Sequence, residues 1–369
     1  MPLIKLQFRP GVNRETTSYT NEGGWFDSDK VRFRFGLPEK IGGWVKKSIY
    51  SFLGICRGLH TFVSLGGTKL SGVGTSLKYY IEQGGQYWDI TPIRVTTAAG
   101  DVTFAAVNGS AVITATDTAH GAVTNDFVTF SGAATLGGVI TADVLNQEYQ
   151  IVTIVDSDNY TISARTAATS IQSLTVDGQI VDTPVTANAS DTGNGGGSIV
   201  GSYQVNVGLI VAVAGTGWGS GTWSRGTWGS AATTTTSTEL RIWTHDNFGE
   251  DLLFNVKDGN IYYWDTSTDT LGTDRGTPLT LVAGADAATP TVATQVMVSD
   301  RDRHVLVFGC DPETAIGTQD PLLIRFSNQE SITEWAAVAT NTAGDLRVGS
   351  GSQIICAVET RQQVLVWTD

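Results

Sequence analysis

Apolar and polar residues alternate along this chain in short runs, and turn residues cut the runs at close intervals. That is the period-two signature of strands, not the 3.6-residue signature of helices. After an extended, turn-rich opening, strands are expected over Leu59–Leu65, Leu70–Gly74, Leu77–Ile81 and Tyr87–Pro92, with turns at Gly66-Gly67 and Gly84-Gly85. A second group holds Leu240–Trp243, Leu252–Val256 and Ile261–Asp265, with Asp258-Gly259 as a hairpin turn. The third holds Gln295–Val298, His304–Gly309 and Leu322–Ser327. A fourth begins at Leu346–Val348 and runs through Ile354–Val358 and Gln363–Asp369.

The echoes Tyr87-Trp88-Asp89, Tyr263-Trp264-Asp265 and Trp367-Thr368-Asp369 suggest one place in a repeated unit. Four-stranded units at such spacing are the mark of β-propeller blades, with a series of β-sandwiches as the alternative. The fold expected is therefore all-β, with propeller-like blades of four antiparallel strands. A small β-sandwich or barrel is inserted, with strands at Ala111–Ala115, Phe127–Phe130, Glu148–Val155 and Asn159–Ile162. The divisions are an arm and hairpin over 1–57, a first blade over 58–93 and the insert over 94–200. A Gly/Trp-rich interface loop follows over 201–238, then further blades over 239–369, the last unfinished. The propeller is thus expected to be incomplete, either because the protein continues beyond Asp369 or because a partner completes the ring.

Composition supports this reading. Of 369 residues, 43 are Gly and only 2 are Met, and helix formers give way to β-branched residues. No apolar run is long enough to span a bilayer as a helix, so no membrane span is expected. The opening has no apolar core or cleavage site of a signal peptide. Cys56, Cys310 and Cys356 are far apart and read as buried small hydrophobes.

Charge is unevenly placed. Residues 1–94 carry 13 basic and 7 acidic residues, 95–224 carry one basic and ten acidic, and 225–369 carry 9 basic and 19 acidic. Such an acidic body opposes tight nucleic-acid binding, which needs cations to displace counterions. The basic arm, with Arg9, Arg14, Lys30, Arg32 and Arg34 among Trp25, Phe26 and Trp44, can be posed as a nucleic-acid contact or as a face for a neighbouring ring. Asp27 and Asp29 are expected to pair with Lys30, Arg32 and Arg34 across a hairpin over Asp29–Phe35. A cation at Asp27-Ser28-Asp29 is the lesser reading.

Chemistry is sparse. His60, His120, His245 and His304 have no metal-ligand spacing, and no nucleophile elbow, zincin motif or P-loop occurs. The acidic pairs Glu250-Asp251 and Asp156/Asp158 could be posed as glycosidase carboxylates, as could many pairs in an acidic chain. No catalytic, metal or cofactor residues are assigned, and no enzyme activity is expected. Trp218, Trp223 and Trp228 recur five apart in a Gly-rich loop. They read as indole anchors at a subunit boundary or, in the competing reading, as a sugar platform.

The runs Arg9–Arg14, Gly23–Lys30 and Pro38–Trp44, with 215–230, Leu240–Asp265 and Leu322–Trp335, resemble the tail nozzle (tubular tail protein) family of short-tailed bacteriophages. The resemblance implies a β-propeller subunit in a hexameric tube below the portal and its adaptor. Such a tube retains packaged DNA until infection, carries fibres or spikes, and passes genomic DNA without sequence-specific binding. It also implies assembly in the host cytoplasm and residence in the virion tail. Arg9, Arg14, Trp25, Phe26, Lys30, Arg32, Arg34, Trp44, Trp218, Trp223 and Trp228 are then the candidates for subunit or adaptor contacts. The alternative function is a carbohydrate-binding β-propeller adhesin or lectin.

Overall fold

The computed structural model describes residues 9–15, 17, 19–43, 45, 48, 50–166, 175–176, 179–180, 183–209 and 240–369. It divides into two units, 1–49 and 50–369.

The smaller unit is a turn cluster and a hairpin. Val12 bridges Trp25, and Asn13 N–H donates to the Trp25 carbonyl. The Asn21 side chain donates to the same carbonyl, so two turns close on one point. Val31–Arg34 then pairs antiparallel with Leu37–Lys40. The turn between them is Phe35-Gly36, both at positive φ (51° and 79°). This double left-handed geometry matches the strand twist.

Among its described residues the larger unit is nearly all-β, with one short helix at Ala142–Leu145. Blade one comprises Cys56–Val63, Lys69–Thr75, Tyr79–Gln83 and Gln86–Asp89 in sequential antiparallel order. Blade two has the same order in Trp243–Phe248, Asp251–Val256, Ile261–Trp264 and Thr277–Pro278, and blade three in Gln295–Val298, Val305–Phe308, Leu323–Phe326 and Gly344–Arg347. Ile354–Glu359 and Val364–Thr368 form a two-stranded sheet. The Gly66-Gly67, Gly84-Gly85 and Asp258-Gly259 turns all fall where the sequence puts them, between paired strands.

The first strands of successive sheets are neighbours, and period two explains how. In Trp243–Phe248, one set of side chains meets blade one. Trp243 Nε1 donates to the Thr75 carbonyl (2.7 Å), His245 Nδ1 lies 3.1 Å from Tyr79 Oη, and Asn247 bonds His60. The other set meets blade three. Thr244 Oγ1 accepts from Val296 N–H (3.1 Å) and Asp246 Oδ2 from Val298 N–H (2.9 Å). Blade two is thus buried on both faces. Leu252, Phe254, Tyr262 and Trp264 pack towards blade one, and Leu253 and Ile261 towards blade three. Such double burial makes Leu252–Val256 read as a near-continuous apolar run, broken only by the buried Asn255.

The insert is a two-sheet sandwich. One sheet runs Glu148–Gln150, Phe127–Ser131, Val200–Gln204, Ile93–Thr96, and the other Thr153–Ile154, Asn159–Ser163, Val112–Thr116, Thr103–Ala106, Asp191–Asn194. Phe104, Ile113, Tyr160 and Ile162 from one sheet share a core with Val128, Phe130, Tyr149 and Tyr203 from the other.

Several expectations change here. Val200–Gln204, assigned by pattern mostly to the Gly/Trp loop, is a strand between two others of the sandwich. Its alternating burial is carried by Gly201, Tyr203 and Gln204, which gives little apolar signal. The Trp echoes do not mark one place. Trp88 lies on the fourth strand of its blade, Trp264 on the third and Trp367 on the second of its sheet. Only Cys310 is buried, while Cys56 and Cys356 are exposed.

Candidate functional site: arm surface and buried ionic joint

Within the small unit, the sequence-selected side chains divide. Arg14 pairs with Asp27, and that guanidinium holds the Asp27 carboxyl below the usual carboxylate range. Arg32 pairs across the hairpin with Glu39 (3.2 Å), and Lys30 lies 3.6 Å from the adjacent Asp29. Of the expected pairings of Asp27 and Asp29 with Lys30, Arg32 and Arg34, only Asp29 with Lys30 forms among the described residues, between sequence neighbours and not across the hairpin. The hairpin turns at Phe35-Gly36, so Arg32 faces Glu39 and Asp27 turns back to Arg14. Trp25 packs against Phe33, with ring centroids 6.0 Å apart. Phe26 is exposed, as is Arg9.

Arg34 stands over the ring of Phe35, an aromatic of the basic arm that is not among the interface candidates. Phe35 is 93% exposed and sits at the hairpin tip in a left-handed conformation. A bulky aromatic there costs backbone strain that glycine would not. Leu37 beside it is exposed too. The tip therefore presents an exposed apolar ring flanked by a cation. The signal available in sequence was the pair Phe-Gly where Asn-Gly is usual. Trp44, Trp218, Trp223 and Trp228 lie outside the described residues.

In the larger unit, four charges from three places meet inside the protein. Lys78 is fully buried, and its Nζ lies 2.6 Å from Asp89 Oδ2 and 2.5 Å from Glu148 Oε1. Arg275 completes the set, 2.9 Å from Asp89 and 3.4 Å from Glu148. Gln204 Nε2 donates to Glu148 Oε2 (2.7 Å), and Lys78 Nζ stands 4.3 Å over the Phe127 ring. Lys78 and Asp89 belong to blade one, Glu148, Gln204 and Phe127 to the sandwich, and Arg275 to blade two. Two cations against two carboxylates leave no net charge, so the cost of burial is offset by pairing. Burial alone would raise the Asp89 carboxyl, but Lys78 and Arg275 outweigh it and pull it down to about 2.

Near the first strands, His60 and His245 face each other with ring centroids 5.1 Å apart. Burial, with His60 adding to it, lowers His245 to about 4. Their sequence spacing gave no hint of this, because a 185-residue separation closes only through blade packing. Among the described residues, no group of three His, Cys, Asp or Glu is placed to hold a metal ion. No described helix is long and apolar enough to cross a membrane.

No protein-family model and no curated protein matches the chain. Among solved structures, it is similar to one titled "Phage phi92 endosialidase", at 12% identity and a TM-score of 0.23. The match covers 84% of this chain and 40% of that one, so the chain spans well under half of its length. A likeness that low bears on neither mechanism nor substrate.

Proposed function

We propose that this chain is a structural subunit of a short-tailed phage tail, a nozzle protein whose copies form a six-fold ring around the path of genomic DNA. The ring sits below the portal and adaptor, retains DNA until infection, and meets fibres or spikes on its outside. What carries this reading is the serial stack of antiparallel sheets joined by their first strands, in a chain whose arm and blade runs resemble nozzle sequences. The arm supports it, as a separate unit with a cationic, aromatic hairpin tip suited to a neighbouring subunit or the adaptor. A cyclic ring needs two different complementary faces per subunit, and the acidic body gives the arm an opposite charge to meet. An acidic lumen would also leave polyphosphate unheld as it passes.

Negative-stain imaging of particles carrying this chain tests the proposal. Six-fold rings at one capsid vertex are expected. A free monomer that binds glycans through Trp218, Trp223 or Trp228 would overturn it in favour of the lectin reading.

A further inference from the structure

The buried ionic joint holds an amine against a carboxyl in a fixed approach. Tyr80 is the cross-strand partner of Asp89 and Lys78 precedes Tyr80 by two, so Lys78 and Asp89 are diagonal neighbours on one face of blade one. Both are anchored. Thr75 N–H donates to the Lys78 carbonyl (2.8 Å), and Thr75 Oγ1 accepts from Lys78 N–H (2.8 Å). Asp89 Oδ1 accepts from Thr91 N–H (2.9 Å) and from the Thr91 hydroxyl (2.6 Å). Its other oxygen, Oδ2, is left to Lys78 Nζ (2.6 Å) and Arg275 Nη1 (2.9 Å).

Three features favour condensation of this pair. The site is nearly dry, with the Lys78 side chain wholly buried, Asp89 12% exposed and Glu148 4%. Amide formation removes one buried charge of each sign, and the joint stays neutral because Glu148 and Arg275 remain as a pair. A held geometry supplies the effective concentration that the same two groups lack in water. The second carboxylate stands where a proton carrier is needed. Glu148 Oε1 lies 2.5 Å from Nζ, and Gln204 Nε2 fixes its orientation through Oε2 (2.7 Å).

We propose that Lys78 and Asp89 condense into an intramolecular isopeptide bond, with Glu148 as the proton carrier. One ammonium proton passes through Glu148 to Oδ2, which leaves a free amine beside a carboxylic acid. Nζ then attacks Cγ, and the carbonyl electron pair moves onto Oδ1, where the two Thr91 donors stabilise it. Glu148 takes a second proton from Nζ and delivers it to Oδ2. The Cγ–Oδ2 bond breaks, water leaves on the part-exposed Arg275 side, and the carbonyl re-forms at Oδ1. One proton stays on the amide nitrogen, two leave with the water, and Glu148 ends as a carboxylate. Arg275 opposes the first transfer, because it favours the ionised Asp89. The four-charge joint is therefore the state that folds, and the bond accrues slowly within it. The inference does not depend on the tail reading.

The test follows freshly folded full chain at neutral pH from hours to days, by intact mass and by tryptic digestion. A species lighter by one water should accumulate. In it trypsin should pass over Lys78 and release 70–94 as one peptide, one water light, with no fragment ions from single breaks between Lys78 and Asp89. That location separates the loss from cyclisation at Asp258-Gly259. Lys78→Arg should keep its full mass, and Glu148→Gln should slow the loss by about a hundred-fold. If Glu148→Gln misfolds, the parent chain decides. A folded parent that keeps its full mass for days and yields 70–78 and 79–94 as separate peptides would overturn the proposal, as would an unchanged rate of loss in folded Glu148→Gln.

Discussion

Phe35 is in a backbone conformation that its side chain disfavours, while that side chain touches little of its own hairpin. Phe35→Gly should therefore stabilise the turn by about 1 kcal/mol, since left-handed geometry costs a bulky residue about 1–2 kcal/mol. If the tip docks on a neighbour, the same substitution should lower ring yield, read by native mass spectrometry. A change that improves the fold and impairs assembly separates the two roles. Lys78 behaves oppositely. Lys78→Met leaves Asp89 and Glu148 with Arg275 alone, and should cost about 3 kcal/mol by chemical denaturation, as for other broken buried pairs. Neither residue announces itself in the sequence. Lys78 sits in Leu77–Ile81 at a position that alternation places on one face, but nothing local says that the face meets two carboxylates, one of them 70 residues away.

At the scale of elements, most strands were legible in the sequence, but which sheets they join was not. Glycine pairs and Asp258-Gly259 announce their hairpins because left-handed turns demand those residues. Trp243–Phe248 was harder. Its middle residues, Thr244 to Asn247, are polar, yet each is consumed, His245 and Asn247 with Trp243 on one neighbour and Thr244 and Asp246 on the other. A polar strand between two blades looks like a loop to any hydrophobicity pattern. The sandwich strand Val200–Gln204 was missed for the same reason, and of the interface candidates only the arm's side chains can be placed. Gly74 tests the packing directly. A Cβ there would stand 2.6 Å from the Trp243 ring, so Gly74→Ala should destabilise the chain by about 1–3 kcal/mol, seen as a lower Tm.

Across the whole molecule, acid should loosen the joints before the cores. His245 has a folded value of about 4, below its ordinary 6.5, so its contribution is present above 6.5 and lost as pH falls through about 4. Asp89, lowered from 3.8 to about 2, contributes above 3.8 and loses that contribution as pH falls through about 2. Melting scans at pH 7, 5 and 3 should show falling Tm, and His245→Gln should flatten the fall between 7 and 5. The sandwich enters and leaves through paired strands, with Thr96 opposite Ser202, so its removal leaves two adjacent ends. Excision should be tolerated better in Lys78→Met than in the parent, because loss of Glu148 otherwise leaves two cations on one carboxylate.

The links between first strands also bear on how the chain survives its own synthesis. The N–H groups of Val296 and Val298 project from a sheet margin, as does that of Ala357, which donates to Gln295 Oε1 (2.7 Å). Bare margins of this kind recruit other chains and nucleate aggregates. In each case the side chain that takes up the N–H lies earlier in the sequence than the margin it covers. A ribosome therefore delivers every one of these lids before the edge that needs it, and a nascent chain folding from its N-terminus need not wait with the edge open.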